Sequence, residues 1–185
     1  MPKRKIISNL IMQKPNLKEL CSKHLLYQDI IEAGETFNRL RVDNVPQQLE
    51  TYIAIKDMAI CLLDPLIDKF GAMKITYGFC GCKLSNKIKA RIAPSIDQHS
   101  SFELNTKGVR ICKRDGIAVD FIMTKYENDM NLVADWIINN LLFDRLYFYG
   151  KDRPIHLSYS KQPVQKAYKF FITDLGLRVP RPYKS

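Results

Sequence analysis

The chain lacks an apolar run of membrane-spanning length, an even set of cysteines, and any phosphate-cradling glycine motif; each absence removes a class of protein. A spanning helix needs about 20 predominantly apolar residues. The closest imitation follows Met1-Pro2-Lys3-Arg4-Lys5. There the apolar stretch Ile6 to Met12 is short, broken by Ser8 and Asn9, and followed by Gln13-Lys14-Pro15 rather than a small-residue cleavage site. The expectation is a soluble, unprocessed, cytoplasmic protein without membrane insertion. Cys21, Cys61, Cys80, Cys82 and Cys112 make an odd set, and Cys80-Gly81-Cys82 is too tight for a paired zinc knuckle, so reduced thiols are expected. Neither a P-loop nor a dinucleotide fingerprint is present. Ser158 and Ser160 lie near His156 without the glycine-rich elbow of a serine hydrolase. No internal repeat is visible.

What is present fits one domain of 185 residues, long enough to bury a core without disulfide staples. Lys and Arg outnumber Asp and Glu by 29 to 19, a formal net charge of +10. That balance suits acidic partners such as nucleic acid, an anionic membrane surface or an acidic cell-wall polymer, or simply a basic protein whose lysines are solvated.

Apolar spacing predicts a helix from Leu17 to Ala33, after a basic N-terminal arm over residues 1–20. Asp43-Asn44-Val45-Pro46 signals a turn and a helix entry. The clearest helix begins near Gln47 or Gln48, runs through Tyr52, Ile55, Met58, Leu62, Leu66 and Phe70, and stops at Gly71, with a kink or break expected at Pro65. Strands are expected at Lys74 to Phe79, Ile117 to Met123, Arg145 to Tyr149 and Pro154 to Ser158. A polar helix or loop is expected over Lys83 to Arg91, and a hairpin over Thr106 to Gly116. An amphipathic helix is expected over Asn131 to Leu142, and a last helix over Gln165 to Asp174. The fold class is therefore α+β, N-terminal helices packed on a mostly antiparallel sheet. One domain spans 21–175, and a basic, proline-containing tail covers 176–185.

Four segments carry chemistry: Ile75-Thr76-Tyr77-Gly78-Phe79, Asp97-Gln98-His99, Gly116-Ile117-Ala118-Val119-Asp120 and Ile155-His156-Leu157-Ser158. In this order they resemble the zinc D-alanyl-D-alanine carboxypeptidases and endolysins of the M15 peptidase family, which share the Hedgehog/DD-peptidase fold. The resemblance covers residues 27–160. It implies that His99, Asp120 and His156 bind Zn2+, a three-ligand set of the kind catalytic zinc uses. It further implies a metal-activated water attacking an amide bond, with a cell-wall peptide or peptidoglycan-like substrate. A basic cytoplasmic chain fits that role if it is released at lysis, as phage endolysins are.

The chain departs from the family in three places. The stretch Ser100 to Asp115 is inserted between His99 and Asp120, where it is expected to rise at the mouth of the site. Cys80 stands where the family carries an arginine that holds a substrate carboxylate, and a thiol cannot supply that fork. The general base has two candidates, Asp152, shortly before His156, and Glu103, four residues beyond His99. Lys89, Arg91, Arg114 and Arg153 are candidates to replace the missing substrate anchor. The alternative to a zinc metallohydrolase is a repurposed zinc-site domain that binds nucleic acid or a protein partner inside the cell, in a phage-related or DNA-modification system.

Overall fold

The computed structural model describes residues 13–88, 97–173, 176 and 178–183. Among the described residues six α-helices, α1 (Tyr27–Ile31), α2 (Glu35–Leu40), α3 (Leu49–Met58), α4 (Asp64–Phe70), α5 (Cys82–Ser85) and α6 (Met130–Asn140), accompany one sheet whose strands β1 (Met73–Tyr77), β2 (Ile117–Met123), β3 (Arg145–Phe148), β4 (Ile155–Tyr159), β5 (Lys166–Ile172) and β6 (Arg178–Pro182) lie in the order β1-β2-β4-β3-β5-β6. The long central helix explains how the chain treats its proline. Helix α3 (Leu49–Met58) passes through a wide π turn (Ala59–Leu63) into α4 (Asp64–Phe70). Pro65 has no N–H and its ring would crowd the carbonyl four residues back. Widening the turn just before it, with the Asp64 N–H donating to the Ala59 carbonyl, lets the helix continue where the sequence suggested a kink or break. Gly71 then ends α4 with φ +86, donating its N–H to the Ile67 carbonyl.

Strand β2 (Ile117–Met123) lies between β1 (Met73–Tyr77) and β4 (Ile155–Tyr159), antiparallel to both. Strand β3 (Arg145–Phe148) pairs antiparallel with β4. In β2, alternate residues Ile117, Val119, Phe121 and Met123 enter the core. There they meet Tyr52, Ile55, Met58, Leu62 and Leu66 of the long helix and Val133 and Ile137 of α6 (Met130–Asn140). Strand alternation therefore puts Ala118 and Asp120 on the opposite face, together with His156 and Ser158 of β4. Asp120 and His156 therefore sit on the side of the sheet turned away from the helical core.

Several expectations are corrected. Residues expected to form the last helix form strand β5 (Lys166–Ile172), parallel to β3, and the expected tail forms β6 (Arg178–Pro182), antiparallel to β5. Aromatic and β-branched content in Tyr168-Lys169-Phe170-Phe171-Ile172 suits a pleated surface. Pro180 and Pro182 are tolerated because β6 is the sheet's edge. The first predicted helix shrinks to α1 (Tyr27–Ile31). Before it the chain folds back, with Cys21 N–H donating to the Leu25 carbonyl and Asp64 accepting from the Ser22 hydroxyl and the Lys23 N–H. Leu17 and Glu19 carbonyls accept from Gln28 and Tyr27, which ties the end of the expected arm to the domain. No helix among the described residues is long and apolar enough to cross a membrane.

At the start of β2, Gly116 has φ +101, and a Cβ there would fall 1.7 Å from the Tyr159 carbonyl oxygen. Gly116→Ala is therefore expected to cost about 2 kcal/mol through strain and displaced pairing. Chemical denaturation would show it as a lower midpoint; an unchanged midpoint would refute the close approach.

Candidate metal centre

Asp120 leaves the middle of β2 opposite His156 of β4, and His99 reaches them from the loop that follows residue 97. His156 Nδ1 lies 2.8 Å and His99 Nε2 3.3 Å from the same Asp120 Oδ1. One ligand atom from each residue falls within 4.8 Å of the others, a group able to hold a metal ion. The His99 and His156 side chains are 3% and 6% exposed, and Asp120 27%, so the cluster opens to solvent on the carboxylate side.

Backbone geometry fixes His99. Its Nδ1 lies 2.9 Å from the Gly78 carbonyl, which can only accept, so Nδ1 carries a proton and Nε2 faces Asp120. The loop supplying that carbonyl is pinned in turn. Buried Asn44 donates to the Ile31 and Phe79 carbonyls and accepts from the Gly81 N–H, while the Ser100 hydroxyl donates to the Cys80 carbonyl. A Cβ on Gly78 would fall 2.0 Å from the Ile30 carbonyl oxygen, so only glycine allows this crossing. His156 is held by a ring: Tyr147 stacks on it at 4.7 Å and 15°. His156 Nε2 is buried with no hydrogen-bond partner, so the protein sets the tautomer of this ring only at Nδ1.

The charges reinforce one another. Burial alone would raise the Asp120 pKa, but the two histidines outweigh it and hold the carboxyl well below the usual carboxylate range. Burial opposes a proton on His99, yet attraction to Asp120 and their hydrogen bond prevail and raise its pKa. Asp120 therefore stays ionised between the two rings, and its charge favours a proton on His99.

Zinc at about 2.0–2.2 Å from each donor in tetrahedral arrangement separates ligand atoms by about 3.4 Å. The 3.3 Å spacing from His99 to Asp120 already meets this, and the 2.8 Å spacing from His156 needs only a small opening. Two imidazole nitrogens with one carboxylate oxygen are a donor set suited to zinc.

The remaining predicted residues separate. Glu103 is 3% exposed and accepts from the Gln47 and Gln48 N–H groups and the Thr51 hydroxyl, all at the start of α3. Its carboxylate is tied to that helix end rather than to the three-residue cluster. Ser101, at φ +46, breaks the helical turn that would have put Glu103 beside His99. Arg114 forms a fork on fully buried Asp144 at 2.6 to 3.1 Å, so it braces the inserted segment rather than waiting for substrate. Arg110 likewise ties this segment together through Ser101, Arg114 and Asp115. Asp152 and Arg153 are exposed in the turn between β3 and β4. Lys89 and Arg91 lie outside the described residues. His24 pairs with Asp68 at 2.7 Å, away from the cluster.

A separate cavity of about 640 Å³ is lined by Glu50, Asp57, Phe102, Lys113, Gly116 and Tyr159, among others, and by none of the three cluster residues. All five cysteines are free. Burial pushes Cys21 and Cys80 up to about 12 and Cys112 up to about 11, whereas Cys61 is exposed. Ellman's reagent is expected to give a fast phase that Cys61→Ser diminishes and a slower one from half-buried Cys82, with the three buried thiols reacting only on unfolding. Fast labelling of Cys80 in the folded protein would contradict its placement.

No protein-family model matches the chain, and no curated protein or solved structure matches it either.

Proposed function

We propose that the protein is a zinc-dependent hydrolase of the Hedgehog/DD-peptidase type, cleaving an amide bond in a peptidoglycan-like peptide. The observation that carries this reading is the convergence of His99 Nε2 and His156 Nδ1 on Asp120 Oδ1. His99, Asp120 and His156 would hold the metal, which when bound supplies a Lewis acid that polarises a carbonyl and acidifies water. The chain's own part is to present those donors in fixed directions. Gly78 orients His99 and Tyr147 orients His156, while the exposed side of Asp120 leaves an approach for substrate. With Glu103 committed to α3, Asp152 is the remaining candidate to accept a proton, from an exposed turn next to β4.

The test is metal content followed by peptidoglycan turbidity. Zinc binding with a zinc-dependent fall in turbidity, lost in Asp152→Asn while zinc is retained, is the expected result. Zinc binding without lysis, joined to salt-sensitive binding of DNA or RNA, favours the second reading. That reading is a zinc-site domain binding an acidic partner, and the net charge of +10 recommends it.

A further inference from the structure

The family arginine absent at Cys80 leaves open what would recognise a substrate anion. Cys80 itself is fully buried, its thiol pushed up by burial to about 12, so it supplies no charge. The site face of the sheet offers a different cation. In cross-strand register, Tyr77, Asp120, His156, Tyr147 and Tyr168 form one row, and Ala118, Ser158, Arg145 and Lys166 form the next. Arg145 therefore stands on the metal-binding face, diagonal to His156 across β3 and β4, a separation of about 7–8 Å between backbones.

Its guanidinium is unusual among the arginines of this region. Arg110 pairs with Asp115, and Arg114 with Asp144. Arg145 is half-buried, yet among the described residues it has no carboxylate partner. Its Nη1 donates only to the Tyr147 hydroxyl at 3.1 Å, and its Nε is buried without any hydrogen-bond partner. A half-buried cation with no counter-ion and one buried donor left unmade is costly. Such a residue is stabilised when an anion arrives, because the planar fork can give two parallel hydrogen bonds. Lys166, in register beside it and exposed, adds a second positive charge. The same Tyr147 that receives Arg145 stacks on His156, so the guanidinium is one side chain removed from a metal ligand.

We infer that Arg145 is the anion anchor of this site, receiving a substrate carboxylate beside the His99, Asp120 and His156 cluster. The inference rests on the hydrolase reading for the kind of substrate, while the recognition of a carboxylate can be read without turnover. Arg145 lies on a strand whose neighbours in the sheet, not in the sequence, bring it to the cluster.

The experiment titrates the ¹⁵N-labelled full-length protein, first without added metal and then with zinc, with acetyl-D-alanyl-D-alanine and with its C-terminal amide. The Arg145 Nε–H resonance, assigned by its loss in Arg145→Gln, is expected to shift with the acid and not with the amide. The acid should bind at least tenfold more tightly than the amide, and Arg145→Gln should erase that preference while keeping zinc affinity. Arg145→Lys should recover part of it, since charge remains and the fork is lost. Equal binding of acid and amide, binding of neither up to the solubility limit, or an undiminished preference in Arg145→Gln overturns the inference. Failure of the hydrolase reading looks different: the carboxylate preference persists, and neither probe is cleaved.

Discussion

Replacing Asp120 with alanine is expected to lower zinc affinity by at least about a hundredfold. Losing a residue that merely orients a ligand typically costs 10–100-fold, and Asp120 does more. Its Oδ1 is the atom on which both histidines converge, and its charge is the one anion between two nearly buried imidazoles. Removing it takes away a ligand and leaves His99 and His156 with no acceptor at the nitrogens that face the site. His99→Ala should weaken binding to a similar degree. Asp152→Asn should leave affinity unchanged, because Asp152 lies in an exposed turn outside the ligand group. Competition with a chromogenic chelator measures all three. Comparable zinc affinity in wild type and Asp120→Ala would remove the basis for a metal centre here.

Glu103→Ala is expected to destabilise the fold by about 4 kcal/mol. Three donors at the beginning of α3 end on this carboxylate, which is 3% exposed, so deletion leaves the buried Thr51 hydroxyl and the part-buried Gln47 and Gln48 N–H groups without their acceptor. Each unmade buried hydrogen bond costs roughly 1–3 kcal/mol. Loss of a carboxylate at a helix N-terminus adds roughly 0.3–1 kcal/mol through the helix dipole. For a chain of this size the melting temperature should fall by roughly 8–16 °C. Glu103→Gln should fall by less, since one acceptor oxygen survives while an amide NH2 replaces the other. Calorimetry decides between this role and a catalytic one. An unchanged melting temperature with abolished hydrolysis would return Glu103 to the active site.

The contrast between Glu103 and Asp120 shows which features the sequence makes legible. Asp120 belongs to a strand whose alternation is visible in Ile117-Ala118-Val119-Asp120-Phe121, and that alternation alone separates its side chain from the core residues on either side. The long helix, α6, β2 and β4 were legible for the same reason: their apolar period is local. The three cluster residues were singled out by resemblance, and their convergence could be seen only once β2 and β4 were paired. The ties of Glu103 to α3 were not legible because its partners lie at Gln47, Gln48 and Thr51, more than fifty residues away, and because Ser101 adopts a left-handed backbone that a helical reading does not anticipate.

The C-terminal hairpin was missed for a related reason. An apolar stretch such as Ala167 to Ile172 satisfies a helix or a strand by composition, and here the free edge of β3 decides, accepting β5 in parallel. Asn44 and Arg145 also escaped notice. One pins the loop bearing the Gly78 carbonyl and the other stands next to Tyr147, and neither carries a motif that points there.

The most direct test of the central claim is an anomalous difference map at the zinc edge from crystals grown with stoichiometric zinc. The account predicts one dominant peak within about 2.0–2.2 Å of His99 Nε2, Asp120 Oδ1 and His156 Nδ1. A map with no peak there, or with zinc held only elsewhere, for instance by His24 and Asp68, would contradict it.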